Sequence, residues 1–269
     1  MSATFLYGQN EFVNGVRIHY LRYGGKGHPL ILIPGITSPA ITWEFVAERL
    51  GQVFDTYVLD VRGRGLSSSG PEHDYGTDVC AQDIVSFVQK LGLKEYSLMG
   101  HSMGARFAIR ANELSNQGLK QLFLIDPPVS GPERRAYPSK LPWYVDSIQQ
   151  AIQGMNSEDM KVFCPTWTEA QLQLRAEWLH TCYLPAIIQA FDDFHTYDIH
   201  QYISHIQVPT LLMVAGKGGV ILPEDEQEIQ QLNPNIHVKH VPQAGHMIPW
   251  DDLEGFFTVL GEYLGQKFN

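Results

Sequence analysis

Strand-length apolar runs alternating with helix-spaced stretches restrict this chain's fold more than any other feature. Pro29–Pro34 (PLILIP) is apolar throughout, as a strand buried on both faces must be. Val53–Leu59, Tyr96–Met99, Leu122–Ile125, Thr210–Val214 and His237–Val241 also read as strands. Thr42–Leu50 and Thr77–Leu91 carry apolar residues at helical spacing, with Thr77 or Asp78 as candidate N-cap. Asn14-Gly15 between Glu11–Val13 and Val16–Tyr20 is a hairpin signal. Strands that alternate with helices need crossover connections, so the expected class is α/β with a doubly wound, mostly parallel sheet.

From Pro127 to Ile206 the alternation stops. The stretch has no strand-like run, is rich in Trp, Gln and Arg, and is punctuated by Pro127, Pro128, Pro132, Pro138, Pro142, Pro165 and Pro185. It reads as short helices inserted between two strands. The expected layout is a core of residues 1–128 and 206–269 with a helical cap over 129–205; a separate helical domain is the alternative.

Acidic residues outnumber basic ones by 29 to 19, a formal charge of −10. Nucleic acid and anionic membranes reward a positive surface, so neither is expected as a partner. A small anionic substrate stays open, because a few local cations can override the average field. No apolar run reaches the ~18–20 residues needed to span a bilayer. Cys80, Cys164 and Cys182 include no C-x-x-C pair, which argues against a disulfide framework or a thiolate metal site. The start Met1–Phe5 lacks a basic region leading into an apolar core. A reduced, cytoplasmic monomer or small homo-oligomer is expected, without metal or other cofactor.

The chemistry centres on Gly100-His101-Ser102-Met103-Gly104, a G-x-S-x-G match. The bare pattern is weak, but here it follows the strand Tyr96–Met99 and opens a helix at Ala105–Arg110, the context of a nucleophile elbow. Such a turn holds the serine in a strained conformation, and a Cβ at 100 or 104 would collide with neighbouring elements. The helix N-terminus beneath favours developing negative charge.

A serine hydroxyl needs a base. Among eleven histidines, His246 alone has a glycine-flanked setting after the last strand and before the terminal helix. The acid is less direct. Chains with this elbow usually place it after the penultimate strand, but here that loop reads Gly216-Lys217-Gly218-Gly219. Asp126, which ends the strand Leu122–Ile125, is preferred; Glu224 and Asp225 are the alternatives and read better as a helix N-terminus. Ser102, Asp126, His246 keeps the order Ser…Asp…His. The oxyanion donors would be the backbone N–H groups of Met103 and of Ile36 in the loop after Pro34-Gly35.

No H-E-x-x-H, Walker loop or G-x-G-x-x-G occurs, and His195, His200 and His205 are spaced to face apart, so metal catalysis is unsupported. The elbow, the loop Asp60-Val61-Arg62-Gly63-Arg64-Gly65-Leu66-Ser67 and the Gly245-His246 end resemble the α/β-hydrolase fold family over essentially the whole chain. A closer similarity, to the N-formylmaleamate deformylases, is carried by Gly35–Trp43, Asp126–Pro132, Tyr137–Trp143 and Ala244–Asp251. That resemblance implies hydrolysis of N-formylmaleamate to maleamate and formate through a formyl-serine, without metal. A carboxylate-bearing substrate calls for a cation in the pocket: Arg62 and Arg135 are the candidates, with Arg64, Arg134 and Lys140 nearby. Trp43 and Trp143 are candidate pocket walls, with Tyr144, Trp167 and Trp178 as further aromatics. An esterase, enol-lactonase or carbon–carbon bond hydrolase would share the triad, as would a slow ligand-sensing receptor.

Overall fold

The computed structural model describes residues 4–268. Eight strands form one sheet: β1 (Phe5–Val13), β2 (Val16–Tyr23), β3 (His28–Ile33), β4 (Phe54–Leu59), β5 (Tyr96–His101), β6 (Leu119–Ile125), β7 (Thr210–Ala215) and β8 (Ile236–Val241). Their spatial order is β1-β2-β4-β3-β5-β6-β7-β8. The hairpin β1–β2 and the β2–β4 pair are antiparallel; every other neighbour is parallel. β4, β5 and β7 are buried at every position, in keeping with strands covered on both faces.

The helices of the core are α1 (Glu44–Leu50), α2 (Thr77–Lys90) and α3 (Met103–Leu114). Five more lie between β6 and β7: α4 (Leu141–Gln153), α5 (Ser157–Lys161), α6 (Glu169–Trp178), α7 (Leu184–Thr196) and α8 (His200–Ile203). α9 (Pro223–Leu232), α10 (Ile248–Asp251) and α11 (Leu253–Leu264) complete the chain.

Two local expectations shift. Ala40–Trp43 forms a 3₁₀ turn ahead of α1, so the α-helix proper opens at Glu44. The N-cap of α2 is Gly76, not Thr77 or Asp78. Thr77 is instead the first helical residue, and both its N–H and its hydroxyl donate to the Asp193 carboxylate at 2.7 Å. A side chain from α7 thus satisfies an N-terminal donor of α2, a pairing that spans more than a hundred residues and leaves no local signal.

β3 and β5 are neighbours, yet the chain leaves β3 toward β4 on one side and leaves β5 toward β6 on the other. Open α/β sheets bind ligands in the crevice at such a switch point, outside the carboxyl ends of the strands. The inserted helices are tied down beside that crevice by Arg106 of α3, which is 1% exposed. Its Nη1 donates to the carbonyls of Pro128 and Ser130 at 2.8 and 3.0 Å, and its Nη2 to those of Asp193 and Tyr197 at 2.9 and 2.6 Å. A buried guanidinium without a carboxylate partner is tolerable only because its charge meets oriented carbonyl dipoles. Arg106→Met keeps the aliphatic stem but removes the guanidinium donor from all four carbonyls, of which only that of Asp193 keeps another, the Tyr197 N–H. It is expected to cost about 3 kcal/mol and to lower the thermal midpoint by about 6–12 °C. Circular dichroism melts read this directly, and a shift below about 2 °C would contradict the assignment.

Candidate active site

The site grows from the edges of β5 and β6. Their register pairs His101 with Ile125, so Ser102 and Asp126 are the first residues beyond two adjacent strands. Ser102 holds φ 53°, ψ −119°, and Asp126 holds φ 45°. Side chains avoid that left-handed half of the map, so both turns carry strain that the surrounding structure must fix. Close packing does so. A Cβ on Gly100 would stand 2.3 Å from the Gly104 carbonyl oxygen, and one on Gly104 would stand 2.0 Å from that of Ile33. Only glycine at both positions lets β5, α3 and β3 approach this closely.

Three side chains meet in line. Ser102 Oγ lies 3.0 Å from His246 Nε2, and His246 Nδ1 lies 2.7 Å from Asp126 Oδ2. Asp126 has no solvent exposure, and its other oxygen accepts from the Ala215 N–H at 3.3 Å. A carboxylate accepts only, so Nδ1 carries the imidazole proton and the Nε2 lone pair faces the serine. The Tyr137 hydroxyl also reaches Nε2, at 3.3 Å, and receives a bond from the Tyr144 hydroxyl at 3.5 Å. Burial pushes the Tyr137 phenol well above its ordinary value, so it is a hydrogen-bond donor here and not a base.

The carbonyl of His246 accepts a 3.0 Å bond from His101 Nε2. Burial, then the neighbouring His246, lowers the His101 pKa to about 3, so its ring is neutral and the Nε2–H orients the His246 backbone. Asp225 stands elsewhere: it accepts from the Leu222 N–H at the start of α9 and pairs with Arg135. Among the described residues, the backbone N–H groups of Ile36 and Met103 donate to no protein acceptor. Arg64, fully buried, ties the two residues together by donating to the Ile36 carbonyl at 3.0 Å and to Met103 Sδ at 3.4 Å.

A cavity of about 340 Å³ opens above Ser102 and His246. Trp143 lines it, as do Tyr144 and Trp167; Trp178 does not. Three candidate contacts fall elsewhere. Trp43 has no exposure and lies beneath the site, its ring 4.8 Å from Trp250 and 5.4 Å from His101. Arg62 is spent on Asp83, with Nε 2.6 Å from Oδ2, and on the Asp74 carbonyl. Arg135 is spent on Asp225 and the Val220 carbonyl. Each correction has the same cause: a partner distant in sequence already satisfies the charge or covers the ring. The cation that does line the cavity is Arg175 of α6, which sequence reasoning passed over. The signal was present, since Leu172, Arg175 and Ala176 share the buried face of α6, with buried Leu179 just after it, and a charge on such a stripe needs a reason.

Residues 28–253 match the family model described as the alpha/beta hydrolase fold. The chain is 68% identical over 262 residues to N-formylmaleamate deformylase of Pseudomonas putida, covering 97% of this chain and 98% of that one. A crystal structure of N-formylmaleamic acid deformylase from another Pseudomonas putida strain superposes with a TM-score of 0.91 at 52% identity, over 94% of this chain and 100% of that chain. E-2-(acetamidomethylene)succinate hydrolase shares the fold at a TM-score of 0.78 and 19% identity, over 97% and 99% of the two chains. With its strained elbow serine, its histidine after the last strand and its eight-stranded sheet, the chain belongs to the α/β-hydrolase fold family.

Proposed function

We propose that this chain is a serine hydrolase that cleaves the N-formyl amide bond of N-formylmaleamate to give maleamate and formate. The observation that carries the reading is the 68% identity to N-formylmaleamate deformylase over nearly the whole of both chains. The Ser102–His246–Asp126 line supports the mechanism.

His246 Nε2 takes the Ser102 hydroxyl proton as Oγ attacks the formyl carbon. The Asp126 carboxylate holds the imidazole in the required tautomer and stabilises the imidazolium that forms. The tetrahedral oxyanion sits between the Ile36 and Met103 N–H groups, each worth ~3–4 kcal/mol of transition-state stabilisation. His246 then gives its proton to the nitrogen, the C–N bond breaks, and maleamate leaves. That nitrogen lies between two carbonyls, which makes it a better leaving group than a peptide nitrogen. Water gives a proton to the same Nε2 and attacks the formyl-serine; formate departs and Ser102 regains its proton. Every step uses groups of the chain, water and substrate.

On this reading residues 129–205 are a cap that shapes the pocket over a core of 1–128 and 206–269. No helix among the described residues is long and apolar enough to cross a membrane. We read the enzyme as cytoplasmic, a monomer or small homo-oligomer. Its three buried free cysteines suit a reducing compartment.

Ser102→Ala is expected to reduce formate release from N-formylmaleamate by about 10⁴-fold or more. Formate output from the wild type no faster than in buffer would overturn the substrate assignment. Asp126→Asn is expected to lower kcat by about 10⁴-fold, because an amide favours the wrong imidazole tautomer. Asp225→Asn should stay within about threefold of wild type, as surface ion pairs contribute little. The reverse ranking would make Asp225 the acid.

A further inference from the structure

Arg175 is the only Lys or Arg lining the cavity among the described residues, and it is 3% exposed. Among the described residues no Asp or Glu forms an ion pair with it. Its partners are both on Thr37: Nη1 donates to the Thr37 carbonyl and Nη2 to the Thr37 hydroxyl, each at 3.0 Å. These bonds occupy the end edge of the guanidinium. On the side edge, where Nε–H and the second Nη2–H point the same way, Nε is buried and has no hydrogen-bond partner, and the Cys164 thiol lies against the guanidinium. Trp143 and Trp167 lie beside the group, with ring centroids 5.8 and 5.5 Å from Cζ. The nearby Cys164 thiol is kept protonated by burial, so it supplies no countercharge. Asp251, the cavity's own carboxylate, already accepts from the Gly245 N–H at 2.9 Å.

A guanidinium removed from water, clamped along one edge and left with an unpaired Nε–H on the other, is half of a bidentate carboxylate site. We propose that this unpaired edge binds the carboxylate of the substrate, so that Arg175 with Thr37 forms the subsite that selects acids over neutral amides. Thr37 directly follows Ile36, the proposed oxyanion donor, so one short loop sets the spacing between the reacting formyl group and the anchored carboxylate. A rigid cis-alkene acid holds that spacing without loss of internal rotation. The proposal rests on the deformylase reading above.

The test compares N-formylmaleamate with its neutral methyl ester. The wild type should favour the acid in kcat/KM by about 10- to 100-fold, the range for a charge-assisted bond to a buried partner. Arg175→Met should reduce that preference to within about threefold, through KM more than kcat, and Arg175→Lys should recover part of it. An unchanged preference in Arg175→Met, or equal losses on both substrates, would overturn the subsite and leave Arg175 as a prop for the Thr37 loop. Calorimetry on the wild type covers a variant that fails to fold. Maleamate should bind at least about tenfold more tightly than the neutral diamide maleamide, and equal affinities would again overturn it. Because binding needs no turnover, a chain that prefers maleamate yet releases no formate keeps the subsite and loses the deformylase reading.

Discussion

The buried carboxylate of Asp126 is the constraint around which the site is arranged. A charge with no access to water is tolerated only when its oxygens are matched, and here the matches are the His246 Nδ1–H and the Ala215 N–H. The first match fixes which imidazole nitrogen faces Ser102. The second ties the acid to β7, while the Asp126 N–H donates to the Met213 carbonyl at 2.9 Å. Sheet register does the rest: with His101 opposite Ile125, Ser102 and Asp126 occupy equivalent places after adjacent strands, both at positive φ. The separation of Ser102 and Asp126 is thus set by the sheet, while His246 comes from the segment after β8.

Two parts of the chain meet at the cavity. Ser102, Asp126, His246 and Ile36 stand in the turns that follow strands, and Met103 opens α3. Tyr137, Trp143, Trp167 and Arg175 reach the cavity from the segment inserted between β6 and β7. The division places a burden on the contacts that join the parts. Arg106 meets four carbonyls around the insert, and Asp193 of α7 receives the first helical N–H of α2. Arg175 adds a third tie, from α6 to the loop after β3. Loosening these contacts would shift the pocket wall against the nucleophile, and misplacement by about 1 Å is enough to cost 10²-fold in rate.

What the sequence made legible follows from the range of the forces involved. The strand His28–Ile33 and the terminal helix Leu253–Leu264 declare themselves because burial sets a local pattern, an apolar run in the strand and an apolar face in the helix. The elbow is readable because its glycines answer a local steric demand, and Asp126 because a charge ending an apolar strand needs a partner. Arg62, Arg135 and Trp43 were misplaced because their surroundings are long-range: Asp83, Asp225 and Trp250 neutralise or cover them, and no local pattern announces those pairings. Arg175 interrupts an apolar stripe that the sequence does show, but its lack of a carboxylate partner is visible only in three dimensions.

The central claim is that a formyl group passes through the Ser102 oxygen. Acid quenching within a single turnover of N-formylmaleamate, followed by peptide mapping in a mass spectrometer, tests it most directly. The account predicts one formyl ester, on the peptide that contains Ser102, which appears and decays with formate release and is missing from Ser102→Ala. A formyl adduct on any other residue, or formate released in the first turnover with no adduct at any time, would contradict it.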